Sequence, residues 1–268
     1  MNSCWICVLE AVRSIMKDRM DIEYRYDGSP DGLLCAIADA VRKKEQPSVI
    51  SGPFQEGLLY ADRCHTVTTD EARADEVIAY FRRKVSKEAA RNLLYCLAGP
   101  FETMEAELLA YYRMGLRLGR SLDRNHADPI VHAVHQAARA VGHEIHRFKG
   151  LLRFRQLQDG LYWAPFEPDY DIISALVPHF RARLSDQRWM IHDLRRARAV
   201  VWDGRRLYAE PQPAKLLQDN PVSDEEVEVR QLWKTFFKSV TIESRTNPKL
   251  QARCMPLRYW RWLPEMEV

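Results

Sequence analysis

No stretch of this 268-residue chain approaches the ~20 consecutive apolar residues of a membrane span, so no spanning helix is expected. The chain also lacks a GxSxG elbow, a phosphate-cradling P-loop and a GxGxxG turn, which removes the catalytic and cofactor classes those motifs build. Cysteine is scarce: Cys4, Cys7, Cys35, Cys64, Cys96 and Cys254 are scattered over a long chain without a secretory signal. Reduced thiols and a cytoplasmic setting are therefore expected. Cys4-x-x-Cys7 is half of a metal or redox motif with no second half. The CxxxCxxC spacing of a three-cysteine iron–sulfur cluster is absent, so the chain is not itself a radical-SAM enzyme. Excess charge is small too. A net of +3 is too little to announce a polyanionic partner from the total alone.

What is present is the material of a core. Hydrophobic residues make up 46% of the chain, enough to fold it nearly throughout despite 29% charged residues. Residues 1–20 read as an N-terminal extension, with Met16 or Met20 as the expected native start. Residues 21–149 read as a strand–helix element with a helical block, and 150–268 as a sheet-containing region with a basic helical tail.

Ile22 to Tyr26 alternates as a strand does, Asp27-Gly28-Ser29-Pro30 turns, and Leu33 to Arg42 has helical spacing. Short strands are expected at 47–52 and 65–67. Thr68 to Asp70 and Ser86 start two helices, Glu102 to Leu118 is a third, and Asp128-Pro129 opens a long fourth that runs to about His146. The texture changes at Gly150. Leu151 to Leu157 alternates, Asp159-Gly160 turns, and Leu161 to Phe166 returns. A helix over 171–183, interrupted or kinked at Pro178, leads to strands at 189–193, 199–202 and 206–208. The expected class is α+β: an antiparallel sheet with a helix on one face, a central all-helical block and a C-terminal tail rich in Pro, Arg and Trp. Ser223 with Glu226 marks a further helix start, running to Phe237.

Charge is unevenly placed. Between positions 181 and 206 eight arginines face Asp186, Asp193 and Asp203, and from Arg230 onward the chain is again basic. Phosphates need such cations, and unstacked bases need flat aromatic faces. Candidate nucleic-acid contacts are therefore Arg153, Arg183, Arg195, Arg196, Lys234, Arg245, Asn247, Lys249 and Arg258, with Tyr259 and Trp260 stacking or packing. Arg153 and Phe154 read as neighbours on a strand, Phe154 facing the core and Arg153 an open sheet face. His179 and Arg183 lie one helical turn apart and share a face. With Asp27, His146 and Asp193, His179 completes the set of candidate catalytic groups; an Asx turn at Asp27 and a structural helix end at His179 are the other readings. His132, His135, His143 and His146 share a helix face, but two pairs about 16 Å apart cannot serve one ion, and no metal or cofactor is expected.

Three stretches carry a resemblance: Tyr26-Asp27-Gly28-Ser29 with Asp31 to Leu34; Glu144, His146, Arg147, Gly150, Arg153, Phe154, Pro178-His179-Phe180, Arg183, Trp189 and Ile191 to Asp193; and Trp233-Lys234, Phe236-Phe237, Arg245, Asn247 to Gln251, Met255-Pro256, Arg258 to Trp260 and Leu263 to Glu265. From Asp21 onward the chain resembles an uncharacterised bacterial family of DNA-metabolism proteins, encoded beside a radical-SAM protein and sometimes fused to a uracil-DNA glycosylase-like domain. Pro30 replaces a frequent Phe, and Leu152 a frequent Val. The resemblance implies an accessory nucleic-acid-binding protein in DNA repair or modification. Its expected partners are DNA, with single strands included, a radical-SAM protein and a uracil-DNA glycosylase-like protein. Two other readings stay open: a nuclease or glycosylase-like hydrolase acting on nucleic acid, and a scaffold that docks the radical-SAM protein without touching DNA.

Overall fold

The computed structural model describes residues 21–53, 55, 57, 60–99, 104–218 and 220–266. Cys4, Cys7 and a start at Met16 or Met20 lie outside them. The chain divides into two compact units after Arg139, upstream of the change of texture at Gly150.

Unit 1 opens with strand β1 (Ile22–Arg25), helix α1 (Pro30–Arg42), β2 (Val49–Ser51) and β3 (Arg63–Thr66). The strands form a parallel sheet of order β2-β1-β3, so β1 is central and buries Ile22, Glu23 and Tyr24. Ser29 caps α1 by accepting the Gly32 N–H, and Pro30 stands in the first turn, where its missing donor costs nothing. Helices α2 (Glu71–Lys84), α3 (Lys87–Leu97) and α4 (Glu105–Leu118) follow. Asp70 and Ser86 cap the first two. The core of the unit gathers Tyr24, Leu34, Ile37, Phe81, Leu93 and Tyr111.

One buried carboxylate ties this unit together. Asp39 of α1 bonds His65 on β3 at 3.0 Å and Arg42 at 3.1 Å, and it pairs with Arg73 of α2. Burial works to raise its pKa, but the hydrogen bonds from His65 and Arg73 and the two arginine charges outweigh it and hold the carboxyl below its ordinary value. The sign follows: its stabilisation is complete above the unfolded carboxyl value near ~4 and fades as pH falls through the lower folded value. Asp39→Asn is expected to flatten the acid limb of the urea midpoint against pH. An unchanged slope below about pH 4 would remove Asp39 from the acid response.

Helix α5 (Pro129–Leu151) contributes Val131, Val134 and Ala138 to the core of unit 1; beyond Arg139 it belongs to unit 2. It extends past His146, so the alternation expected over 151–157 is not a full strand. Val141, Ile145, Phe148 and Leu152 are all buried at spacings of four, three and four, which continues a helical stripe. Arg155 and Gln156 pair with β5, as β4, Leu157 makes an isolated antiparallel bridge to Val222, and Arg153 precedes the strand rather than standing on an open sheet face.

In unit 2, β5 (Tyr162–Phe166), α6 (Ile173–Arg183), β6 (Trp189–Asp193), β7 (Arg198–Trp202) and β8 (Leu207–Glu210) complete a five-stranded sheet of order β4-β5-β6-β7-β8. The α+β class holds, but the sheet is mixed. β5 and β6 run parallel with α6 as their crossover, and the other three pairs are antiparallel. A crossover helix between two strands is what lets them run parallel, and α6 continues through Pro178, which lies on its exposed side. All five residues of β6 are buried, as befits a central strand covered on both faces. After the short α7 (Pro213–Leu217) come α8 (Asp224–Val240) and α9 (Pro248–Cys254), then 3-10 turns at Leu257–Trp262 and Pro264–Met266. Among the described residues no helix is long and apolar enough to cross a membrane.

Candidate functional site

Unit 2 contains a cavity of about 670 Å³ between the C-terminal half of α6 and the first turns of α8, floored by residues 152–155 and Tyr162. Its far wall is set by the start of α8. Ser223 caps that helix, accepting the Glu226 N–H at 3.2 Å, and the Ser223 N–H bonds the Gln156 carbonyl at 2.9 Å. The Glu226 carboxylate accepts the Gln156 N–H at 3.2 Å, so the expected capping pair also fastens α8 to β4.

Five cations line the cavity, Lys149, Arg153, Arg155, Arg183 and Arg230, against the single carboxylate of Glu226. Phe154, Tyr162, Phe180 and Trp233 supply aromatic walls. Arg155 lies with its guanidinium about 5.9 Å from the Trp163 ring and 5.8 Å from the Trp262 ring, a cation held by two indoles. Arg153 donates to Glu265 at 2.5 Å and to the Gly150 carbonyl at 2.7 Å and faces the Trp233 ring; Trp233 donates to the other Glu265 oxygen at 3.0 Å. Burial pushes the Glu265 carboxyl up, but the Arg153 and Trp233 hydrogen bonds hold it below its usual value.

His179 and Arg183 share a face of α6 as their spacing requires. Burial, then the charges of Lys149 and Arg183, push the His179 imidazole below its ordinary pKa. Its buried Nε2 has no hydrogen-bond partner.

The other sequence candidates are distributed differently. Asp193 is fully buried and closes the β6–β7 turn, bonding the Arg196 N–H at 3.1 Å and its guanidinium at 2.9 Å. Arg196 also donates to the Pro168 and Asp169 carbonyls, and Arg195 pairs with Asp169 at 3.2 Å. Arg258 pairs with Asp169 at 2.5 Å and lies over the ring of Tyr259, which is only 2% exposed; Tyr259 therefore packs rather than presenting a stacking face. Trp260 is half-buried and donates to the Met255 carbonyl at 2.9 Å. Asn247 caps α9 by accepting the Leu250 N–H at 3.0 Å. Arg245 and Lys249 are exposed, and neither forms an ion pair among the described residues; Lys234 is half-buried on α8. His146 is exposed on α5. In unit 1, Asp27 accepts from the Ser29 N–H at 2.9 Å, the Ser29 hydroxyl at 2.6 Å and the Thr69 hydroxyl at 2.8 Å, the Asx-turn arrangement. The Ser29 hydroxyl leads these bonds in keeping the Asp27 carboxyl below its usual value. Among the described residues no three His, Cys, Asp or Glu side chains are grouped to hold a metal ion.

Of the sequence candidates, Arg153 and Arg183 line the cavity; Lys149, Arg155, Arg230 and Trp233 also line it and were not among them. Trp233 and Phe236 carried a signal, since both stand in the C-terminal stretch of resemblance. Arg230 carried only the general basic excess that begins there, and Lys149 carried none.

The sequence model of the family DUF4130, described as a domain of unknown function, matches residues 102–265, well over half of the chain. The chain belongs to that family. The match contains every residue of the cavity and leaves out the three-stranded sheet. No curated protein and no solved structure matches the chain.

Proposed function

We propose that this DUF4130-family protein binds nucleic acid in the cavity between α6 and α8 and works in DNA repair or modification beside a radical-SAM enzyme. The observation that carries the reading is the lining: five cations against one carboxylate, interleaved with the rings of Phe154, Tyr162 and Trp233. Cations neutralise phosphates, and aromatic faces stack unpaired bases, so the combination selects single strands over duplex. The volume of about 670 Å³ falls in the range of small-ligand sites and suits a nucleotide-sized group. DNA as the polymer, the radical-SAM partner and a uracil-DNA glycosylase-like associate come from the family resemblance. Exposed Arg245 and Lys249 extend the basic surface along the tail.

The test is a fluorescence-anisotropy titration of the full chain with single- and double-stranded DNA at two salt concentrations. Salt-sensitive binding of single strands at micromolar strength or better is expected. Trp233→Ala is expected to weaken it by about 1–3 kcal/mol, the worth of one stacked base. Arg245→Ala with Lys249→Ala is expected to reduce the slope of log K against log salt by about 1.4, two phosphate contacts on a single strand. Full affinity in Trp233→Ala would take the cavity out of the interface. No binding by the wild type at low salt would leave the scaffold reading, in which the radical-SAM partner docks on this chain and alone meets the DNA.

A further inference from the structure

We propose that Lys149 and Arg183 form a phosphate-binding subsite at the α6 side of the cavity, with His179 as the neighbour whose protonation is coupled to occupancy. This rests on the nucleic-acid reading of the cavity and names which of its cations takes the phosphate.

The cavity's cations are not equivalent. Arg153 is neutralised by Glu265 at 2.5 Å. Arg155 is held between the rings of Trp163 and Trp262. Arg230 stands one turn after Glu226 on α8, the spacing at which opposite charges meet. Lys149 and Arg183 differ: among the described residues neither reaches a carboxylate. Both sit in the last turn of a helix, α5 and α6, where the partial negative charge of the helix end favours them. That partial charge is only about half a unit for each helix, so about one full positive charge of the two is left without a counter-ion. Both cations also line the same cavity. A site with two cations that no carboxylate compensates is complementary to an anionic phosphate, as a monoester or a diester.

Coupling to His179 follows from the same charges. Burial first, and then the charges of Lys149 from α5 and Arg183 from α6, hold its pKa below the ordinary imidazole value. A bound phosphate offsets both, so the imidazole's proton affinity rises on binding. By linkage, binding takes up a proton and strengthens as pH falls toward and below the ordinary imidazole value of about 6.5.

The experiment uses the full chain and three probes: a labelled single-stranded oligonucleotide with a 5′-hydroxyl, the same strand with a 5′-phosphate, and inorganic phosphate. Lys149→Gln with Arg183→Gln is expected to weaken oligonucleotide binding at least about tenfold, the worth of a charge-assisted hydrogen bond. Wild-type affinity is expected to rise between about pH 8 and about pH 6, and His179→Gln to abolish that rise while leaving affinity at the higher pH unchanged. A preference for the 5′-phosphate identifies a terminal monoester as the natural group; equal binding of both strands identifies an internal diester. Wild-type affinity in the double variant, with binding still lost in Trp233→Ala, overturns the subsite while the nucleic-acid reading stands. If no strand binds but inorganic phosphate does, and only with Lys149 and Arg183 intact, the subsite stands and the nucleic-acid reading falls.

Discussion

Glu144→Ala is expected to destabilise unit 2 by about 3–5 kcal/mol, the cost of removing one member of a buried charged network. Glu144 is 2% exposed, on the inner face of α5. Its two oxygens accept the N–H groups of Asp169 and Tyr170, each at 2.9 Å, and the Tyr259 hydroxyl at 2.8 Å; Arg258 stands 4.0 Å away. One carboxylate thus anchors the loop after β5 and the C-terminal tail to the same helix. Alanine leaves two backbone donors and a buried phenol without their acceptor, and each orphaned group costs about 1–3 kcal/mol. Glu144→Gln keeps one carbonyl acceptor and is expected to cost about 1–3 kcal/mol. Urea unfolding followed by tryptophan fluorescence reads the effect, because Trp189 is fully buried in this unit. A midpoint within error of wild type for the alanine variant would show that the network contributes nothing.

In unit 1 the largest single effect is expected at Phe81, where alanine costs about 3–5 kcal/mol. Phe81 is fully buried and stacked on Tyr112, with ring centroids 4.5 Å apart and planes at 18°; Tyr111 lies 6.1 Å away. The packing is tight enough to require glycine on the facing helix: a Cβ at Gly115 of α4 would come within 2.5 Å of the Phe81 ring. Glycine to alanine inside a helix ordinarily gains about 1 kcal/mol. At Gly115 the sign is expected to reverse, with Gly115→Ala costing about 1–3 kcal/mol, because a ring enclosed on all sides has nowhere to move. Combining it with Phe81→Ala is expected to recover at least about 1 kcal/mol of the summed cost, since the new methyl then enters the space the ring left. Strict additivity in that cycle would mean that the two residues do not press on each other. Both effects are read in the urea transition of unit 1, with Glu144→Ala as the reference that moves unit 2.

The elements that could be read from the sequence are those whose signal is local. Ser29, Asp70, Ser86 and Ser223 each cap a helix through a side chain three residues from its partner N–H. The Asx turn at Asp27, the helical block and the strand at 189–193 follow from patterns a few residues long. The end of α5 was misread because Leu151 to Leu157 also alternates, and only the burial of Phe148 and Leu152 shows which period prevails. The parallel pairing of β5 with β6 was misread because strand direction is set by the crossover helix and carries no mark within either strand.

The cavity lies at the other extreme. Residue order alone shows that the second half of the chain is rich in arginine and aromatic residues and that His179 and Arg183 share a helix face. Which arginine meets which carboxylate is settled by the packing of distant segments. Arg153 finds Glu265 across 112 positions, Tyr259 finds Glu144 across 115, and Arg258 finds Asp169, so cations of one composition divide into those neutralised within the fold and the few, Lys149 and Arg183 among them, left facing a cavity. A side chain's periodicity fixes the face it occupies. Its charge is balanced or left open by groups brought within a few ångströms through folding, and no local pattern encodes that distance.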